Sequence, residues 1–342
     1  MKKITICSVL LALCCLAAFA GGTSEDDGVY SVLVYVTGVT AGSPSYELMV
    51  QGAQDFAADN PDAQLKIYES GYNQAEWESQ LSDLVSSGKY DIVVSSNPAL
   101  TDICASVAEK FPNQKFIITD AYLSGNPQIR TYLFNQYEQS MILGYLAGLI
   151  TTSDMQYANP AKKIGFIAAQ EYPLLNKHLV PGFLAGAQLV DPEITVDFRV
   201  IGNWYDAAKC GELASSMMAS GCDVFATIAG GADTGLFKAA KTNGAYVVYH
   251  NIDAYSTAPG IIVGCGKMGQ RELVRKALQE DHDGKTAYGE ASIVGVAEGY
   301  VDFIDTDPLY GTGLSQDVRS RFDAWLADFR AGKIKYELPS LD

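Results

Sequence analysis

Gly52-Ala53-Gln54 recurs as Gly186-Ala187-Gln188, Ser87-Gly88 before Asp91-Ile92-Val93 recurs as Ser220-Gly221 before Asp223-Val224-Phe225, and Asp120-Ala121-Tyr122 recurs as Asp253-Ala254-Tyr255. The offsets are 186 − 52 = 134, 221 − 88 = 133 and 253 − 120 = 133, nearly one number. Between the first two pairs, Gly71-Tyr72-Asn73-Gln74-Ala75 is echoed by Gly202-Asn203-Trp204-Tyr205-Asp206-Ala207. Four markers in one order at one spacing mean that one structural unit is written twice. A closed eight-fold barrel would carry more copies, and a single dinucleotide-type sheet would not carry two of this length.

Each copy alternates short β-rich runs with amphipathic helical stretches, the pattern of parallel strands joined by crossover helices. Ser31-Val32-Leu33-Val34-Tyr35-Val36, Asp91-Ile92-Val93-Val94, Phe116-Ile117-Ile118 and Ile164-Gly165-Phe166-Ile167 are the strand candidates. Leu48, Met49, Gly52, Ala53, Phe56 and Ala57 fall at helical spacing, so a helix follows the first strand and ends at Asn60-Pro61-Asp62. The expected fold class is α/β, two doubly wound parallel-sheet lobes facing each other. At 342 residues and 48% hydrophobic content, the chain has apolar material for two such cores.

Lys+Arg number 24 against 40 Asp+Glu, a formal charge of −16, which argues against nucleic acid as a partner. The first 20 residues read as an export signal: Lys2 and Lys3, an apolar stretch from Ile4 to Ala17, and an Ala18-Phe19-Ala20 cleavage site. That stretch is shorter than the roughly 20 residues needed to span a membrane. Cleavage would release a periplasmic or otherwise extracytoplasmic protein. The alternative is a lipid anchor on Cys14 or Cys15, although Leu13 stands where a small residue usually precedes such a cysteine. Beyond the signal, Cys104, Cys210, Cys222 and Cys265 are scattered, with no C-x-x-C spacing, and are expected to be buried thiols rather than a metal or redox site.

In open parallel sheets, ligands bind outside the carboxyl ends of the strands. The first strand runs into Thr37-Gly38-Val39-Thr40-Ala41-Gly42-Ser43-Pro44-Ser45-Tyr46, which offers amide and hydroxyl donors and an aromatic face, or equally an ordinary helix cap. Other strand ends supply Asn97, Asp120, Gln136, Trp204, Gly230, Asn251 and Asp253. Aromatic faces mixed with short amides and carboxylates suit rings and vicinal hydroxyls. Lys267 follows a further strand-like run and is placed to reach a ligand oxygen. His178, His250 and His282 lack H-x-x-x-H spacing and there is no G-x-S-x-G elbow, so no enzyme is expected, and no cofactor or metal is implied.

Lys110-Phe111-Pro112-Asn113-Gln114-Lys115-Phe116 leading to Asp120, Asn135-Gln136-Tyr137-Glu138 before the Gly144 helix, Ala229-Gly230-Gly231-Ala232-Asp233-Thr234-Gly235, and Lys267 resemble the basic membrane protein family of extracytoplasmic receptors. Its better understood members are purine-nucleoside-binding components of ATP-driven importers. The resemblance implies a type I periplasmic-binding fold whose chain crosses between lobes three times, with residues 28–158 and 256–283 in lobe one and 159–255 and 284–342 in lobe two. It implies a monomer working with a membrane permease and ATPase, and a purine stacked between aromatic rings. Tyr46, Trp204, Asp120 and Lys267 match the family's ring, acid and lysine positions. Two departures stand out: Ala41-Gly42-Ser43-Pro44-Ser45-Tyr46-Glu47 replaces an acid-rich opening, and Val248-Tyr249-His250-Asn251 lacks the strand-end acid of nucleoside-binding relatives. A sugar, riboflavin or a sensor role without transport therefore stay open as alternatives.

Overall fold

A computed structural model describes residues 28–341. The export signal with Cys14 and Cys15 lies outside the described residues. The first half runs β1 (Tyr30–Val36), α1 (Pro44–Asp59), β2 (Ala63–Glu69), α2 (Gln74–Val85), β3 (Ile92–Ser96), α3 (Leu100–Lys110), β4 (Lys115–Thr119) and β5 (Ile129–Phe134). Helix α4 (Gln136–Thr151) then leads to β6 (Lys163–Ala168), α5 (Val180–Gln188), β7 (Thr195–Val200), α6 (Ala207–Ala219), β8 (Cys222–Ile228), α7 (Asp233–Asn243), β9 (Tyr246–Tyr249) and β10 (Ile262–Met268). The chain closes with α8 (Gln270–His282), β11 (Ala291–Val294), β12 (Val301–Phe303) and α9 (Gln316–Arg330).

These strands form two six-stranded sheets, ordered β11-β5-β4-β3-β1-β2 and β12-β10-β9-β8-β6-β7. Strand for strand the two orders are the same, so the duplicated markers correspond to a duplicated topology. All pairings are parallel except β12 on β10. Central strands such as β3, β4 and β5 are buried on both faces, which explains their continuous apolar runs.

The repeated glycines have a steric cause. A Cβ added at Gly52 of α1 would lie 2.4 Å from the Arg271 carbonyl oxygen of α8, and one at Gly186 of α5 would lie 2.0 Å from the Met141 carbonyl oxygen of α4. In each lobe the first helix of the repeat lies directly against the helix that crosses in from the other lobe. Only a missing side chain permits that approach. Gly88 (φ 63°) and Gly221 (φ 101°), the second pair of markers, turn the chain into β3 and β8 through left-handed backbone.

The expected lobe boundaries are corrected by the sheet membership. Helix α4, placed by sequence in lobe one, packs on α5, where a Cβ at Gly144 would meet the Phe183 carbonyl oxygen at 2.0 Å. Segment 256–283 is split: β10 pairs with β9 and β12 in the second sheet, while α8 lies on α1 in the first lobe. Strand β11, expected in lobe two, pairs with β5 in the first sheet. A crossover helix buries its apolar surface on the sheet it enters, not on the one it leaves. The chain therefore crosses three times, from β5 to α4, from β10 to α8 and from β11 to β12.

The thiols of Cys104, Cys210, Cys222 and Cys265 are all free and buried. Among the described residues, no helix is long and apolar enough to cross a membrane.

Candidate functional site

The strand tips of the first lobe carry three residues that lock one loop. Tyr46, in the first turn of α1, shares a hydrogen bond of 2.7 Å with Thr37 Oγ1 and donates to the Thr37 carbonyl at 3.1 Å. Asn97 donates from Nδ2 to Thr37 Oγ1 at 3.0 Å, and its Oδ1 accepts from the Ala99 amide. The Tyr46 hydroxyl is thus committed to the lobe, and only its ring is left to face a ligand. A Cβ on Gly38 would lie 3.0 Å from the Tyr72 ring and 3.4 Å from the Tyr46 ring, so the bare glycine lets both tyrosines converge on this loop. Tyr72 is exposed. Ser45 sits beside Tyr46 at the start of α1, and among the described residues no hydrogen bond engages its hydroxyl.

Asp120 follows β4 with φ 53°, a left-handed conformation rare outside glycine. Its Oδ1 accepts from Gln136 Nε2 at 3.0 Å. Burial pushes the carboxyl up to about 7, against the opposing pull of that hydrogen bond. Tyr172, in the loop after β6 of the second lobe, has its phenol raised by burial and then by the negative charge of Asp120. The Asp120 charge also bears on Tyr46. Asp120 is therefore an acid of the first lobe whose charge bears on one aromatic group of each lobe.

At the matching place in the second lobe, after β9, stands Asn251, also left-handed at φ 75°. Its backbone carbonyl accepts from Met268, and its side-chain Oδ1 is buried without a partner among the described residues. The structural counterpart of Asp120 is thus Asn251, and Asp253, although it aligns in the repeat, points elsewhere. Asp253 is exposed, accepts from the Tyr255 amide, and lies against Asp307; burial and the Asp307 charge both raise its carboxyl.

Trp204 lies in the loop after β7, 43% exposed, with its Nε1 donating to Gln170 Oε1 at 3.3 Å. Gly230, φ 59°, lies under it: a Cβ there would stand 3.4 Å from Trp204 Cε3. The glycine lets the indole lie flat on the start of α7 while its outer face stays open. Lys267, near the end of β10, is held by Glu272 at 2.8 Å and so is not a free cation.

His250 turns inward. Its Nε2 meets Ser140 Oγ at 2.8 Å and its Nδ1 meets the Thr227 carbonyl at 3.2 Å, and burial lowers it to about 4, so it is a neutral imidazole tying α4 to β8. His178 bonds the Pro339 carbonyl, and His282 pairs with Asp62.

Of the sequence candidates, Tyr46, Asn97, Asp120 and Gln136 are brought together, Trp204 and Gly230 form a second group, and Asp253 leaves. Sequence reasoning missed Tyr172 and Gln270, whose Nε2 donates to Thr119 Oγ1 at 2.9 Å, the residue before Asp120. A signal for Gln270 existed: it opens α8 as Gln136 opens α4, at 270 − 136 = 134, the repeat offset. Chemically, the arrangement offers one deep carboxylate, side-chain amides and open aromatic faces. Among the described residues, no cluster of three or more His, Cys, Asp or Glu is placed to hold a metal ion.

The sequence matches the profile of Bmp, described as ABC transporter substrate-binding protein PnrA-like, over residues 29–323. It is 30% identical over 174 residues to the ABC transporter nucleoside-binding protein BmpA of Lactococcus lactis, covering 51% of this chain and 44% of that one. It is 26% identical over 269 residues to basic membrane protein B of Borrelia garinii, covering 75% and 74%. The match thus spans about half the length of the first relative and about three quarters of the second. In structure, a solute-binding protein of an ABC transporter system from Aeropyrum pernix superposes with a TM-score of 0.76 at 21% identity, over 91% of this chain and 94% of that one.

Proposed function

This chain belongs to the Bmp family of ABC transporter substrate-binding proteins, and from that premise we propose that it traps a purine nucleoside between its lobes and delivers it to a membrane permease and ATPase. It does so as a monomer outside the cytoplasm, without catalysing a bond change. The observation that carries the ligand class is Asp120, a carboxylate at a strand tip, held by Gln136, whose charge bears on Tyr172 of the opposite lobe. A buried acceptor of this kind recovers its desolvation cost when a ligand brings N–H or O–H donors to it. Trp204 on Gly230, with Tyr46 and Tyr72 on the other lobe, supplies ring faces for stacking. The relative from Lactococcus lactis, named for nucleoside binding, supports the same class.

The test is mass spectrometry of the small molecule that co-purifies with the protein, followed by thermal melts with inosine, guanosine, adenosine, riboflavin and glucose. A saturable rise in melting temperature with the nucleosides alone supports the reading. Stabilisation by riboflavin or glucose alone replaces the nucleoside with that ligand, and no stabilisation by any of them removes the reading.

A further inference from the structure

Between α8 and the β5–β11 edge of the first sheet, beside the third crossing, lies a crevice of about 440 Å³. None of the cleft candidates lines it. Its floor is apolar, formed by Leu273, Ala277 and Val294, and Arg130 stands in its wall.

Arg130 is 8% exposed. Its Nη2 donates to Ser292 Oγ at 2.6 Å, and its guanidinium lies 4.3 Å from the centre of the Tyr132 ring. Its Nη1 has no hydrogen-bond partner among the described residues, and Arg130 enters none of the ion pairs formed there. The two acids nearby are engaged: Glu280 accepts from the Tyr132 hydroxyl at 3.3 Å and pairs with Lys276 at 3.6 Å, and Glu298 accepts from the Gly295 amide at 2.8 Å. Among the described residues, no acid pairs with this buried cation. A guanidinium Nη1 out of water and without a hydrogen-bond acceptor among the described residues is costly. The missing acceptor is therefore expected from outside the described residues, in a space larger than a lone inorganic ion needs.

We propose that this crevice binds a small organic anion, with its carboxylate or phosphate head on Arg130 and Lys276 and its apolar body on Leu273, Ala277 and Val294. A guanidinium offers the paired donors that such heads accept. Lys276, exposed and on the rim, adds charge without being part of the core.

The experiment titrates the full exported chain with benzoate, its neutral isostere benzamide, and inorganic phosphate, reading backbone amide shifts and binding heat. Expected is saturable benzoate binding that shifts the amides of Ser292, Ile293 and Lys276, with benzamide at least ~10-fold weaker, a difference of about 1.4 kcal/mol. Phosphate competes with benzoate if the head group alone is recognised. Arg130→Gln abolishes the benzoate shifts, and Lys276→Gln, at an exposed position, weakens them even if the Arg130 variant fails to fold. Equal binding of benzoate and benzamide, unchanged binding by Lys276→Gln, shifts confined to the Asp120 and Trp204 loops, or no saturable signal would each overturn the proposal. Nucleoside binding is read separately from the cleft amides, so either reading can fail alone.

Discussion

Gln136 opens the helix by which the chain first leaves lobe one, yet its side-chain amide turns back to donate to Asp120 Oδ1 at 3.0 Å. Gln270, opening the helix that returns, donates to the neighbouring Thr119 at 2.9 Å. Both inter-lobe helices thus begin on consecutive residues at the tip of β4. A shift of either helix start is therefore carried to the Asp120 carboxylate or its neighbour Thr119.

The pH dependence of stability follows from that carboxylate. Asp120 titrates near 7 in the folded chain against an ordinary value of 3.8, so it favours folding below about pH 4 and loses that contribution as the pH rises towards 7. Asp223 and Asp233, raised by burial to about 6, act in the same direction over a lower window. Asp120→Asn is expected to flatten the fall between about pH 4 and 7, with a ceiling of about 4 kcal/mol over that whole window set by 1.36 kcal/mol per pKa unit. Ligand-free thermal melts across pH 4 to 8 measure it; an unchanged slope in the variant would count against Asp120 as the source.

Stacking on Trp204 is tested by Trp204→Ala. With the indole 43% exposed, the melting temperature of the empty protein should barely move. Affinity for the co-purifying ligand should fall at least ~10-fold, and Trp204→Phe should restore most of it. Calorimetric titration of both variants decides, and full affinity in the alanine variant would show that the indole plays no part.

A third test concerns the crossings. Glu138, in the first turn of α4, accepts from Tyr336 at 2.6 Å and from the Val296 amide of the third crossing at 2.7 Å, while Asn135 donates to Tyr336 at 3.0 Å. Tyr336→Phe keeps the ring on Tyr137, 5.6 Å between centroids, and removes only the hydroxyl. We expect about 1–2 kcal/mol of lost stability from this change and more from Glu138→Ala, which leaves the Val296 amide unpaired. Denaturant melts give the energy, and the radius of gyration of the empty protein reports whether the angle between lobes moves with it.

The glycine pair predicts a symmetric penalty. Gly52→Ala and Gly186→Ala each force a methyl to within 2.4 and 2.0 Å of a carbonyl oxygen, and the helices must part to admit it. Each should destabilise by about 1–3 kcal/mol or more, measured by thermal denaturation. A neutral outcome at either site would mean that the helix contact is looser than described.

The duplicated layout was legible because its markers are steric: Gly52 and Gly186 repeat because each lobe repeats one helix contact, and Gly88 and Gly221 because each repeats one turn. The membership of α4 was not. A helix buried along nearly its whole length carries no sequence sign of which sheet it covers. The sequence offers both Asn251 and Asp253, because the repeat aligns Asp253 with Asp120, whereas the positive φ shared with Asp120 falls two residues earlier, at Asn251. Lys267 was legible as a strand-end cation, but its capture by Glu272 depends on how α8 leaves β10. Tyr172 could be found only from the folded chain, in which the Asp120 charge bears on its phenol.

The four thiols among the described residues are buried, and burial pushes those of Cys210, Cys222 and Cys265 up to about 12, so at neutral pH essentially none of them is a reactive thiolate. Among the described residues, a maleimide dye added to the folded protein finds no exposed thiol to modify. Cysteines introduced at the exposed rims, as Tyr72→Cys on one lobe and Tyr205→Cys on the other, would take up a donor and acceptor alone. Residues 28–341 thus come ready for distance measurements between the two rims, with no exposed thiol of their own to engineer away.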